Sequence, residues 1–133
     1  MIPMAAVSKP SNPDGRVLAN MRCVLYGGFS VLSVLYEGSC GNDEGGWVSG
    51  ALSHEADRRL ASIREYIADN QMGDNCMAEA SDAEAVLFSI SRIMNEVMAG
   101  ASKEEEKECL NIVGWLINRS QQRWSKEAQD RDS

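Results

Sequence analysis

The sequence predicts a mainly α-helical protein: a small bundle built on an antiparallel helical hairpin plus one further helix, with a short extended N-terminal segment. Three observations lead there. Apolar side chains recur at three- and four-residue steps from Leu52 to Ile67, from Ala83 to Val97 and from Cys109 to Trp124. The capping-box pattern S-x-x-E occurs at Ser81–Glu84 and Ser102–Glu105, ahead of the second and third of these runs. Only a very short turn around Gly100 separates those two runs, which makes them antiparallel neighbours.

Residues 1–20 hold the turn-rich stretch Lys9 to Gly15, KPSNPDG, and show no apolar period, so disorder is expected there. A start at Met21 would leave these twenty residues untranslated. Residues 21–46 form an apolar, glycine-rich segment. Phe29, Val31, Leu32 and Leu35 would suit one helical face, but the Val, Leu and Tyr content around Gly27-Gly28 favours extended structure, followed by a flexible connection from Gly38 to Gly46.

A helical domain is expected over residues 47–124. In its first helix Leu52, Ala56, Leu60, Ile63 and Ile67 share one face, Glu55 and Arg59 support the outer side, and Gly73 marks the stop. The second helix opens at the Ser81 capping box, turns Ala83, Val86, Leu87, Ile90, Ile93, Met94 and Val97 inward, and ends at Gly100. The third opens at Ser102, with Glu104, Glu105 and Glu106 in its first turn and Arg119, Arg123 and Lys126 near its end, matching the helix dipole. Its inward stripe is Cys109, Leu110, Val113, Leu116, Ile117, Ser120 and Trp124, and residues 125–133 form a charged tail expected to fray. The first helix should lie across the hairpin made by the other two.

Charge narrows the functional classes. With 20 acidic and 13 basic residues the formal net charge is -7, and the arginines are interspersed with carboxylates, so a nucleic-acid backbone would be repelled. Cys23, Cys40, Cys76 and Cys109 are widely and irregularly spaced, which fits reduced, largely buried side chains in a cytoplasmic protein better than a disulfide framework. The apolar stretch from Cys23 to Tyr36 follows Arg22 as a secretory signal would. It is nevertheless too short to span a bilayer and is followed by a poor cleavage site.

Nothing in the sequence assembles a catalytic centre. His54 is the single histidine and sits between Ser53 and Glu55 in a first helical turn, where an exposed helix-end role accounts for it. A zinc set of His54 with Cys40, Cys76 and Cys109 lacks ligand spacing. The acidic run Glu104, Glu105, Glu106 and Glu108 continues into an apolar helix where a calcium loop would turn at glycine. No glycine-rich phosphate-binding pattern occurs, and no cofactor is expected.

Apolar residues on the wrong side of a helix are the candidates for binding. At roughly 100° per residue Phe88 projects about 160 to 200° away from the Val86, Ile90, Val97 stripe, beside Arg92. Trp115 lies with Ile112 at the edge of the wide apolar arc of the last helix, and Met72 and Met77 sit between the first two helices. Exposed aromatics flanked by arginine resemble interface anchors, so these six residues form the candidate partner-binding set. The alternative is that another segment covers the rings and they belong to the core.

The stretches Phe29-Ser30-Val31, HEADRRLASIREYIADN, DAEAVLFSISRIMNEVM and ECLNIVGWLINRSQQRW resemble small helical quorum-sensing anti-activators of pseudomonads over roughly residues 29–124. That resemblance implies binding to a LuxR-type transcription activator through its ligand-binding domain and a block of its dimerisation. The expected function is therefore a non-catalytic, protein-binding regulator, self-associating as a homodimer. The alternative is an acidic nucleic-acid mimic that inhibits a DNA-binding system.

Overall fold

Residues 22–36, expected to be extended, lie inside a 28-residue helix, Pro13–Cys40. The computed structural model describes residues 13–40 and 47–125, and the side chains of 15–38 and 50–125. The expectations of disorder in 1–12, of a flexible connection in 41–46 and of a frayed tail after Ser125 lie outside the described residues. The helices are α1 Pro13–Cys40, α2 Trp47–Asp69, α3 Asp74–Arg92 and α4 Lys103–Arg123, and among the described residues there is no strand. The bundle is thus mainly α-helical, as the periodicity predicts, with one helix more.

Why α1 is helical is clear from its buried side. Met21, Leu25, Phe29 and Leu32 follow at four-, four- and three-residue steps and all reach the core. Pro13 occupies the first helical position, where its missing amide costs nothing, so residues 13–20 are also helical and not disordered. The glycine pair does not turn the chain. Gly28 is buried, and a Cβ there would lie 3.1 Å from the Arg59 side chain, so the glycine lets α2 come close. Tertiary burial overrides the strand preference of Val and Tyr.

Contacts run in opposite senses along neighbouring helices. The Tyr66 hydroxyl donates to the Val17 carbonyl at 3.0 Å while Arg59 crosses at Gly28; Ser53 meets Asn95 while Arg64 meets Glu84; Tyr36 packs on Gly114 while Phe29 packs on Trp124. Successive helices therefore alternate up and down, and α4 returns against α1 to close the bundle. Asp82 and Arg123, 3.1 Å apart, join α3 to α4 in the predicted antiparallel sense. However, α4 packs chiefly on α1 and α3 chiefly on α2, so α2 runs alongside α3 and does not lie across a hairpin.

Two helix boundaries differ from the sequence pattern. The capping box at Ser102 forms as predicted, with Glu105 N–H donating to the Ser102 hydroxyl and Ser102 N–H to the Glu105 carboxylate, each at 3.2 Å. The one at Ser81 does not, because α3 begins at Asp74 with Gly73 as its N-cap and Ser81 is an exposed interior residue. Cys76 and Ala80 continue the buried face back from Ala83, and their burial extends the helix. At the other end a π turn over Ile93–Val97 precedes a 3-10 turn at Met98–Gly100. The wider turn shifts the helical phase, so Val97 faces solvent and not the core as its spacing predicts.

Leu52, Ala56, Leu60 and Ile63 of α2, Leu87 and Ile90 of α3, Met94 of the π turn, and Val113, Ile117 and Trp124 after them meet Phe29 and Leu32 in one core. The Phe29 and Trp124 rings stack with centroids 5.5 Å apart and planes 9° from parallel. Such a pair contributes about 0.5–1.5 kcal/mol beyond its buried area. Burial, and secondarily the Cys76 thiol, raises the Tyr66 pKa. The Asn70 side chain donates to the Tyr66 carbonyl at 2.9 Å, satisfying one orphan acceptor at the end of α2.

Candidate partner-binding surface

Phe88 follows the buried Leu87 by one residue, so the helix turns its ring outward by about 100°. It is 41% exposed, yet it is not loose. The guanidinium of Arg64 on α2 and that of Arg92 on α3 each lie 5.6 Å from the ring centroid. Each arginine is also held by a carboxylate, Arg64 by Glu84 at 3.9 Å and Arg92 by Glu96 at 2.7 Å. Exposed contacts of this kind are individually weak, about 0.5–1 kcal/mol, but together they hold the ring in place. A pre-ordered aromatic side chain loses less rotamer freedom when a partner covers it.

Met77 is on the same side of α3, eleven residues or about 16 Å nearer its start. Met77 is partly exposed, whereas Met72 is half-buried and packs against the core. Next to Arg64, the outer side of α2 has a shallow hollow lined by Asp57, Leu60, Ala61, Glu65 and Ala68.

Trp115 and Ile112 form a second patch on the outer face of α4. They are 57% and 51% exposed, and the Arg119 guanidinium lies 5.1 Å from the indole centroid. The core-facing side of this helix is taken by Val113, Ile117 and Trp124, which leaves Trp115 pointing to solvent. Phe88 with Arg92, and Trp115 with Ile112, are therefore two patches on different helices. The supporting arginines Arg64 and Arg119 are missed by the sequence reading. Arg119 stands four residues after Trp115 and was legible in principle; Arg64 comes from another helix and was not.

The polar groups along the α2/α3 seam satisfy one another. Ser91 donates to Asp57 at 2.5 Å, Asn95 donates to the same carboxylate at 3.1 and 3.3 Å, and Ser53 donates to Asn95 at 2.7 Å. His54 is exposed and takes no part. Hydrogen bonds from Ser102 hold the Glu105 pKa below its usual value, consistent with a capping role for that carboxylate. Cys23 is an exposed thiol, and Cys76 and Cys109 are buried. Among the described residues no group of three or more His, Cys, Asp or Glu side chains is placed to hold a metal. The gap beside Gly28 and Tyr66, lined mostly by apolar side chains of α1 and α2 with Leu87 of α3, has a volume of ≈ 20 Å³.

The helix segment Gly15–Gly38, whose most apolar 18-residue window has mean hydropathy 1.4, is long and apolar enough to cross a membrane by length and composition. That corrects the expectation that the apolar stretch is too short, which held only for residues 23–36. A third of its most apolar window is buried in the bundle. No protein-family model, curated protein or solved structure matches the chain.

Proposed function

We propose that the chain is a non-catalytic regulator that acts by binding another protein through the Phe88 and Trp115 patches. The observation that carries this reading is Phe88, an exposed aromatic ring fixed between two guanidiniums where a folded monomer gains little from displaying it. The resemblance to quorum-sensing anti-activators supplies the partner: the ligand-binding domain of a LuxR-type transcription activator in the cytoplasm, whose dimerisation the chain blocks.

Titration of the chain with such a purified domain tests the reading. Phe88→Ala or Trp115→Ala should weaken binding by at least about 1–2 kcal/mol and leave helical content unchanged. If both variants fold and bind as the parent does, the surface is misassigned. Affinity that collapses as salt rises would point instead to an acidic nucleic-acid mimic, since an apolar interface is far less sensitive to ionic strength.

A further inference from the structure

The outward face of α1 is apolar and none of the other described helices covers it. Val24, Gly27, Val31 and Val34 are exposed, Val34 by 70%, and Asn20 and Gly38 continue the row by one step at each end. The steps from 20 to 38 are four, three, four, three and four residues, a mean of 3.6, so the row stays on one side of the helix along its whole length. Arg22, the one charged residue between Arg16 and Glu37, is turned to Glu79, so the row is uncharged over about 27 Å of helix.

We propose that this face of α1 is a homodimer interface, on which α1 of a second copy lies antiparallel across a twofold axis near Gly27. A row that keeps to one side of the helix offers a second α1 a continuous apolar strip to lie along. Shape agrees. A Cβ at Gly27 would meet nothing within 4 Å, so this glycine leaves an open notch between Val24 and Val31. The twofold sets Val24 against Val31 of the second copy, and notch against notch at the closest approach.

Charge selects the direction. Arg16 and Glu37 are both exposed and close opposite ends of the row. Antiparallel pairing brings each Arg16 near Glu37 of the second copy, whereas parallel pairing would set like charges together. A lipid surface is the less suited occupant: helices that lie on membranes carry basic flanks, while this chain has a net charge of -7 and only Arg16 beside the row. One helix pair is a small interface, so association should depend on concentration. The face is separate from Phe88 and Trp115, and the proposal does not rest on their role.

Sedimentation equilibrium of the full chain over a wide concentration range tests this. A monomer–dimer equilibrium is expected. Val31→Asp should raise the dissociation constant at least about tenfold, the scale of one interface hot spot, with helical content by circular dichroism unchanged. Gly27→Arg, whose side chain has open space in the monomer, should do the same and serves as the second variant should Val31→Asp unfold. Arg16→Glu should weaken the dimer, and adding Glu37→Arg should restore it. A chain that stays monomeric throughout, or a dimer indifferent to both Val31→Asp and Gly27→Arg, overturns the interface. Failure of the charge swap to restore association overturns the antiparallel arrangement. Flotation with neutral or anionic phospholipid vesicles that Val31→Asp abolishes, in a chain that forms no dimer, assigns the face to a membrane instead.

Discussion

Arg22 on α1 donates two hydrogen bonds to Glu79 on α3, at 3.0 and 2.6 Å, and the Trp124 indole N–H reaches the same carboxylate at 3.3 Å. One partly buried carboxylate thus ties the first helix, the third and the end of the fourth. Glu79→Ala is expected to cost about 1.5–3 kcal/mol, the usual scale for hydrogen bonds to a charged group. Urea unfolding should show a lower midpoint with the slope preserved. An alanine variant as stable as the parent would mean that the desolvation of this pair cancels its attraction.

Tyr36 and Gly114 make a second inter-helix contact, between α1 and α4. An added methyl group at Gly114 would overlap the tyrosine ring, so Gly114→Ala forces the ring or the helix to move. The expected loss is about 1–3 kcal/mol, despite the better helix propensity of alanine. Gly50→Ala on α2 is the control. Nothing lies within 4 Å of its Cβ, and there the propensity gain of about 0.5–1 kcal/mol should appear unopposed. Thermal unfolding of both variants should shift in opposite directions.

The two serines that share a capping pattern should behave differently. Ser102→Ala removes a formed cap and is expected to cost about 0.5–2 kcal/mol, whereas Ser81→Ala, in the exposed interior of α3, should be nearly neutral. The Ser102 cap also carries a pH signature. Its hydrogen bonds lower the Glu105 pKa in the folded state from the ordinary 4.5, so the folded protein binds that proton less readily than the unfolded chain. The resulting stabilisation is complete above the ordinary value and is lost as pH falls through the depressed one. Parent and Glu105→Ala should therefore differ in melting temperature near neutrality and converge in acid.

Ile90 and Phe88, two residues apart on α3, separate packing from display. Ile90 is fully buried, and Ile90→Ala should cost about 2–5 kcal/mol. Phe88→Ala removes only surface contacts with two arginines and should cost within about 1 kcal/mol. Equal losses in denaturant unfolding would place the Phe88 ring in the core.

How much of this was legible depends on where each helix finds its partner. The faces of α2 and α4, and Phe88 one residue off the Leu87 row, follow from spacing alone because each lies within one regular helix. Helix α1 was hidden because Val, Tyr and a glycine pair speak locally for extended chain, and only Arg59, arriving from α2 over Gly28, explains why that second glycine is there. The true start of α3 was obscured by Gly73, which reads as the end of one helix and serves as the N-cap of the next. Val97 was misplaced because a π turn breaks the period on which the reading relies. The exposed valines of α1 went unnoticed for the same reason as the helix itself.

The ring stack of Phe29 on Trp124 has a bearing on how the chain reaches this structure. It joins the first described helix to the end of the last, across nearly the whole span of the described residues. During synthesis α1 emerges first, and the helix that covers its core side emerges last, with α2 and α3 made in between. The bundle therefore cannot be completed by adding neighbours in order. Its closing contact joins residues far apart in sequence and carries a large loop-closure entropy, so joining α1 to α4 should be a late and slow event. Until then Leu25, Phe29 and Leu32 are covered by α2 and α3 only, and the interval in which a nascent chain is prone to misassociate is set by the time taken to make α4.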